Sequence, residues 1–207
     1  MSTEQSAALV QRWRQDEARL YPVVMVRPDL YERAGRLVRA LADELGEHTT
    51  VPGLAGAFPE AERTLTDVLD RTRLPTEDID LGLVIGAAFC MRHREIVAAD
   101  ERRRTFVRIA EARERGDAWV VLHESGSPAT MPFRRLEMRL GDGAAVHLFI
   151  EPDPGTGRPV HGLQALRLDP VSGDWSAGTP VEEVRTFEDA LAWEQAAEEL
   201  RGRLGGS

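Results

Sequence analysis

The sequence predicts an α+β fold: a helical N-terminal half packed on a mainly antiparallel C-terminal sheet of four to five strands, with a C-terminal helix. Three observations point there. Apolar residues recur at three- and four-residue spacing up to about residue 115, and they alternate with polar ones from about residue 118. No stretch rich in proline, serine or glycine separates the two regimes. We therefore expect a single α+β domain over 1–207, helix-rich over 5–115, with an antiparallel sheet over 118–180 and a closing helix over 187–201.

The elements follow in order. Residues 5–20 read as a helix with Leu9, Trp13 and Leu20 on one side, and Pro22–Val26 reads as a short strand. Pro28 and Asp29 open a helix whose apolar positions are Ala34, Leu37, Val38, Leu41 and Leu45, with Gly46 as its C-terminal cap. Residues 47–57 read as a loop. Pro59 begins a helix carrying Ala61, Leu65, Val68 and Leu69, Pro75 closes it, and Thr76 or Asp78 caps the next. Residues 79–115 form one long helix or two, in which Gly82 and Gly86 share a face that admits another backbone. Strands are expected near 118–124, 132–140, 144–151 and 161–169, with a weak one near 175. Phe187, Leu191, Trp193 and Leu200 mark the last helix, and a mobile tail is expected over 202–207.

The turn Gly141-Asp142-Gly143 sets the expected register. A three-residue loop pairs Leu140 with Ala144, Met138 with Val146 and Leu136 with Leu148, so the apolar sets of both strands coincide. Val120, Leu122, Leu166 and Leu168 join that core face. The other face then collects Trp119, Val121, His123, Phe133, Arg135, Glu137, Arg139, Ala145, His147, Phe149, Glu151, His161, Leu163, Ala165 and Arg167. Such a mixture of aromatic and charged groups is either covered by a helix of the same chain or kept open for a partner or ligand.

Composition removes several function classes. All 26 basic residues are arginine, and asparagine is absent, as expected of a GC-rich bacterial genome. Without lysine there is no Schiff-base chemistry and no phosphate-binding P-loop. The net charge of −9 disfavours nucleic acid and membrane surfaces as partners. One cysteine, Cys90, allows no internal disulfide, and the polar N-terminus lacks an apolar leader, so the expected location is the cytoplasm. The apolar run Leu81–Met91 is shorter than the roughly 20 residues a membrane span needs.

Catalytic signatures are sparse. There is no G-x-S-x-G, no G-x-G-x-x-G after a strand, and no second histidine at the spacing a His-Glu zinc motif requires. The expected register keeps His123, His147 and His161 from converging, so neither a metal nor another cofactor is expected. The sharpest constellation is the row Trp119–Glu137–His147, flanked by Arg135 and Arg139, with Phe149 nearby. As chemistry it is a carboxylate orienting an imidazole beside an anion site; as structure it is a cross-strand charge pair. The stretch Arg92–Arg115 is basic and 182–201 is acidic, so the two could attract each other within the fold or across a dimer. The reading that follows is a non-catalytic accessory protein that binds a protein partner, or a second copy, through Trp119, Arg135, Glu137, Arg139, His147 and Phe149. Its alternative is a small-molecule binder or acid–base enzyme acting on an anion, with Glu137 or His147 as the base. Phosphate contact through Arg92–Arg104 ranks third.

Overall fold

The computed structural model describes residues 2–129, 131–169 and 178–205. The chain has a helical N-terminal half, an antiparallel sheet and a C-terminal helix, as the pattern predicts. The chain divides into two compact units, the first ending at Asp100 and the second beginning at Glu101. The weak strand expected near 175 lies outside the described residues.

The first unit is helical. Helix α1 (Thr3–Met25) opens on a capping box, in which the Ser2 hydroxyl accepts from Gln5 N at 3.2 Å and Ser2 N donates to Gln5 Oε1 at 2.9 Å. It takes in Pro22–Met25, which the sequence suggests as a strand. Val24 continues the buried stripe of Trp13 and Leu20, and the described residues of this unit offer no strand for a β-rich run to pair with. Helix α2 (Pro28–Glu44) starts at its proline as expected. Gly46 does not take the left-handed cap conformation, because the chain tightens into a 3₁₀ turn over Leu45–Glu47 instead. The expected loop over 47–57 contains helix α3 (Val51–Ala57), nucleated where Thr50 Oγ1 accepts from Gly53 N at 3.2 Å and anchored by buried Leu54. Helix α4 (Ala61–Thr72) ends at Arg73 in the left-handed region, φ +52°.

Helix α5 (Leu81–Arg115) is one helix, capped by Asp80 rather than Thr76 or Asp78: Asp80 Oδ1 accepts from Gly82 N and Leu83 N. Trp13, Phe58 and Phe89 cluster in the core of this unit, with Trp13–Phe89 ring centres 5.1 Å apart. Of the two expected contact glycines only Gly86 serves a partner helix; a Cβ there would lie 2.3 Å from Asp16 Cβ of α1.

In the second unit α5 ends at Gly116, whose φ of +74° needs glycine, and Asp117 N donates back to Ala112 O at 2.9 Å. The sheet runs in the order β1 (Trp119–Ser125), β2 (Phe133–Arg139), β3 (Ala144–Pro152), β4 (Pro159–Arg167), with two short strands, β5 (Thr179–Pro180) and β6 (Arg185–Phe187), both paired to β4. All pairings are antiparallel.

The β2–β3 register differs by one from the expected one. Glu137 faces Val146, Leu136 faces His147, and Phe133 faces Ile150. Leu140 belongs to the turn and not to the strand, so the connection spans Leu140–Gly143. Its glycines sit at φ +123° and +71°, and Asp142 Oδ1 accepts from Ala144 N at 3.1 Å. A one-residue slip turns β3 over, while β2 and β4 keep their expected faces. On β1 a bulge between Val121 and His123 turns His123 onto the face of Leu136, and Arg108 Nη1 donates to Leu122 O at 3.3 Å beside it.

Each face of the sheet has its own core. One holds Phe133, Val146, Leu148, Ile150, Leu163 and Ala165 beneath helix α6 (Ala190–Gly205). The opposite one packs Val120, Leu122, Leu136, Met138, Ala145 and Leu168 with Ile109 and Ala112 of α5. Helix α6 starts later and runs further than the spacing suggests: Phe187 lies in β6, and residues 202–205, expected as a mobile tail, are helical.

Candidate functional site

Helix α6 lies across β3 and β4 and leaves the β1–β2 side of the same face open. Its stripe Trp193, Ala196, Ala197, Leu200 is buried, and Trp193 Nε1 donates to Gly162 O at 2.9 Å. Arg139 holds the far end of the helix by donating from Nη1 to Leu204 O, and it also pairs with Asp142 at 3.2 Å. The side chains left between α6 and β1–β2 form an open groove of about 500 Å³, with Trp119, Val121, Leu148 and Trp193 as its apolar part and Arg135, Glu137 and Arg201 as its polar floor. A second recess of about 630 Å³ adjoins it along α6, shares Leu148, Trp193, Glu198 and Arg201, and is edged by Leu191, Glu194 and Glu199.

The floor is an ion cluster. The Glu137 carboxylate, 5 % exposed, lies 2.5 Å from Arg135 Nε through one oxygen and accepts from Arg201 Nε at 2.6 Å through the other. The Arg135 contact is an ion pair without an aligned hydrogen bond. The arginines are shared in turn, Arg135 with Glu124 at 3.2 Å and Arg201 with Glu198 at 2.5 Å. Both carboxylate oxygens are thus taken by guanidinium groups, and both guanidinium groups by carboxylates. This is a charge-paired cluster of three carboxylates and two guanidinium groups that links β1, β2 and α6.

Of the six residues the sequence singles out, Trp119, Arg135 and Glu137 line the groove, and Arg139 lies on the same face but is engaged with Asp142 and Leu204. His147 and Phe149 are on the opposite face, because β3 is turned over, and the expected Glu137–His147 pair is not formed. The His147 ring centre lies 5.1 Å from that of Phe149, and burial, followed by the nearby Arg134, pushes its pKa below the ordinary histidine value. Phe149 covers Gly162 so closely that a Cβ there would lie 2.1 Å from its ring. His161 packs on Trp193 beneath α6, ring centres 5.4 Å apart, and its Nδ1 has no hydrogen-bond partner among the described residues.

Sequence reasoning missed Arg201, which closes the cluster from α6. A signal was present: Trp193, Ala197 and Arg201 are spaced by fours, which puts that arginine on the buried stripe of an otherwise acidic helix. Among the described residues no three His, Cys, Asp or Glu side chains gather as a metal site, and no helix is long and apolar enough to cross a membrane. The chain matches no protein-family model, and no curated protein or solved structure resembles it significantly.

Proposed function

We propose that this chain is a non-catalytic interaction protein of the cytoplasm that binds a partner protein in the groove between α6 and the β1–β2 side of the sheet. The observation that carries the reading is the groove itself, an open apolar recess bordered by charge, with Trp119, Val121 and Trp193 in its wall and Leu191, 61 % exposed, at its edge. Tryptophan within a polar rim is the usual composition of a protein-binding hot spot. The floor supports binding over catalysis, since Glu137 is held by two arginines and His147 is turned to the other face.

The test is affinity capture of the tagged full chain from its own host, repeated with Trp119→Ala and Leu191→Ser. A protein retained in near-equal amount by the parent chain and lost in both variants supports the reading. Capture that is indifferent to both, or no partner at all for a well-folded protein, overturns it and turns the search to small molecules.

A further inference from the structure

The groove on which that reading rests carries a charge that selects its occupant. We propose that it takes a cationic, apolar-anchored segment of the partner: a helix or extended peptide bearing arginine or lysine around one or two large apolar side chains. Among the described residues, two arginines and five glutamates border the combined recess, counting Glu124 through its pair with Arg135. Glu137, Glu124 and Glu198 outnumber and pair with both arginines, so among the described residues the groove carries no net positive charge for an acidic partner. Glu194 and Glu199 are exposed on α6 at the recess edge and form no ion pair among the described residues.

An anionic segment would be repelled there and would leave both carboxylates uncompensated, whereas a cationic one gains two pairings at the rim while its apolar anchor fills the space between Leu191 and Trp193. Long basic side chains suit such a site, because their methylene stems lie along apolar walls while the charged head stays at the rim. The chain's own basic stretch, Arg102–Arg104, does not supply this segment in cis, since α5 packs Ile109 and Ala112 on the opposite face of the sheet.

The experiment is fluorescence anisotropy on the full chain with three labelled helical peptides, leucine-anchored and otherwise rich in arginine, glutamate or glutamine. The arginine peptide should bind, more weakly as salt rises. Its affinity should drop about tenfold in the Glu194→Gln/Glu199→Gln variant and in Leu191→Ser. The Glu62→Gln/Asp70→Gln variant, equal in charge change but in the first unit, should leave it unaltered. Equal loss in both charge variants would mean diffuse attraction to an acidic protein and overturn the proposal. Tighter binding of the glutamine peptide, sensitive to Trp119→Ala, would refute the cationic preference while leaving a protein-binding groove in place. Reversible doubling of mass in sedimentation, abolished by Glu194→Gln/Glu199→Gln, would make the occupant a second copy and overturn it as well.

Discussion

Arg201 of α6 donates from Nε to the buried carboxylate of Glu137 on β2 at 2.6 Å, and so ties the C-terminal helix to the sheet at the floor of the groove. A carboxylate this deep is stable only while its partners remain, because desolvating it without them costs more than any single pairing returns. Glu137→Gln should destabilise the second unit by roughly 3 kcal/mol, the low end of the range for breaking a buried pair, because both arginines reach solvent. Adding Arg201→Met to Glu137→Gln should recover part of that loss. Chemical denaturation of the single and double variants measures the coupling; additive effects would mean that the pair does not fasten the helix.

Gly162 is the second fixed point under α6. Its carbonyl takes the Trp193 indole hydrogen, and its open side takes the Phe149 ring on the opposite face. Gly162→Ala should displace that ring and cost about 1–3 kcal/mol, the range for overpacking a filled core. Gly202→Ala, with open space around it, should have no such cost. Thermal unfolding of the two variants separates crowding from a general intolerance of alanine.

Much of this architecture was legible in the chain, and the departure that matters most for the site, the register of β3, has a physical origin. Strand β2 alternates Arg135, Glu137 and Arg139 with Leu136 and Met138, so its two faces differ in polarity and its assignment holds. Strand β3 reads Ala-Ala-Val-His-Leu-Phe-Ile, apolar on both sides because both sides are covered, and no alternation remains to choose its register. Only the turn then sets the register, and there Leu140 resembles a strand residue although it belongs to the loop. The one-residue difference places His147 and Phe149 on the opposite face, while the face of Trp119, Arg135, Glu137 and Arg139 depends only on β1 and β2. Likewise the β-rich Pro22–Val26 is mostly helical because Val24 extends the stripe of α1, which outweighs the local preference of its neighbours.

Cys90 offers a test of burial chemistry in the first unit. Its thiol donates to Glu17 Oε2 at 3.2 Å, and burial together with that carboxylate pushes its pKa up to about 11. At pH 8 roughly one molecule in a thousand then carries the thiolate, so the folded protein should react with iodoacetamide or a disulfide reagent far more slowly than a free thiol. Denaturant should restore the ordinary rate. Glu17→Gln should lower the thiol pKa and speed labelling at fixed pH. Rapid labelling of the folded parent chain would contradict the buried donor geometry.

Stability should fall in two stages on acidification. His93 and His147 both have pKa values held below the ordinary 6.5, in each case first by burial, then by Arg14 and Arg94 for His93 and by Arg134 for His147. The unfolded chain therefore takes up these protons near pH 6.5, before the folded chain does, and stability declines as pH drops below that value until the folded-state pKa values are passed. Glu17 has the opposite displacement: its hydrogen bonds with Arg94 hold it below the usual 4.5, so its contribution is complete above pH 4.5 and is lost as pH falls through the lowered value. Denaturant midpoints measured from pH 8 to pH 3 should show an early decline that His93→Gln and His147→Gln each reduce, and a later one that Glu17→Gln reduces. A midpoint that stays level from pH 8 to pH 5 would mean that the two imidazoles are as free to protonate in the folded chain as in the unfolded one.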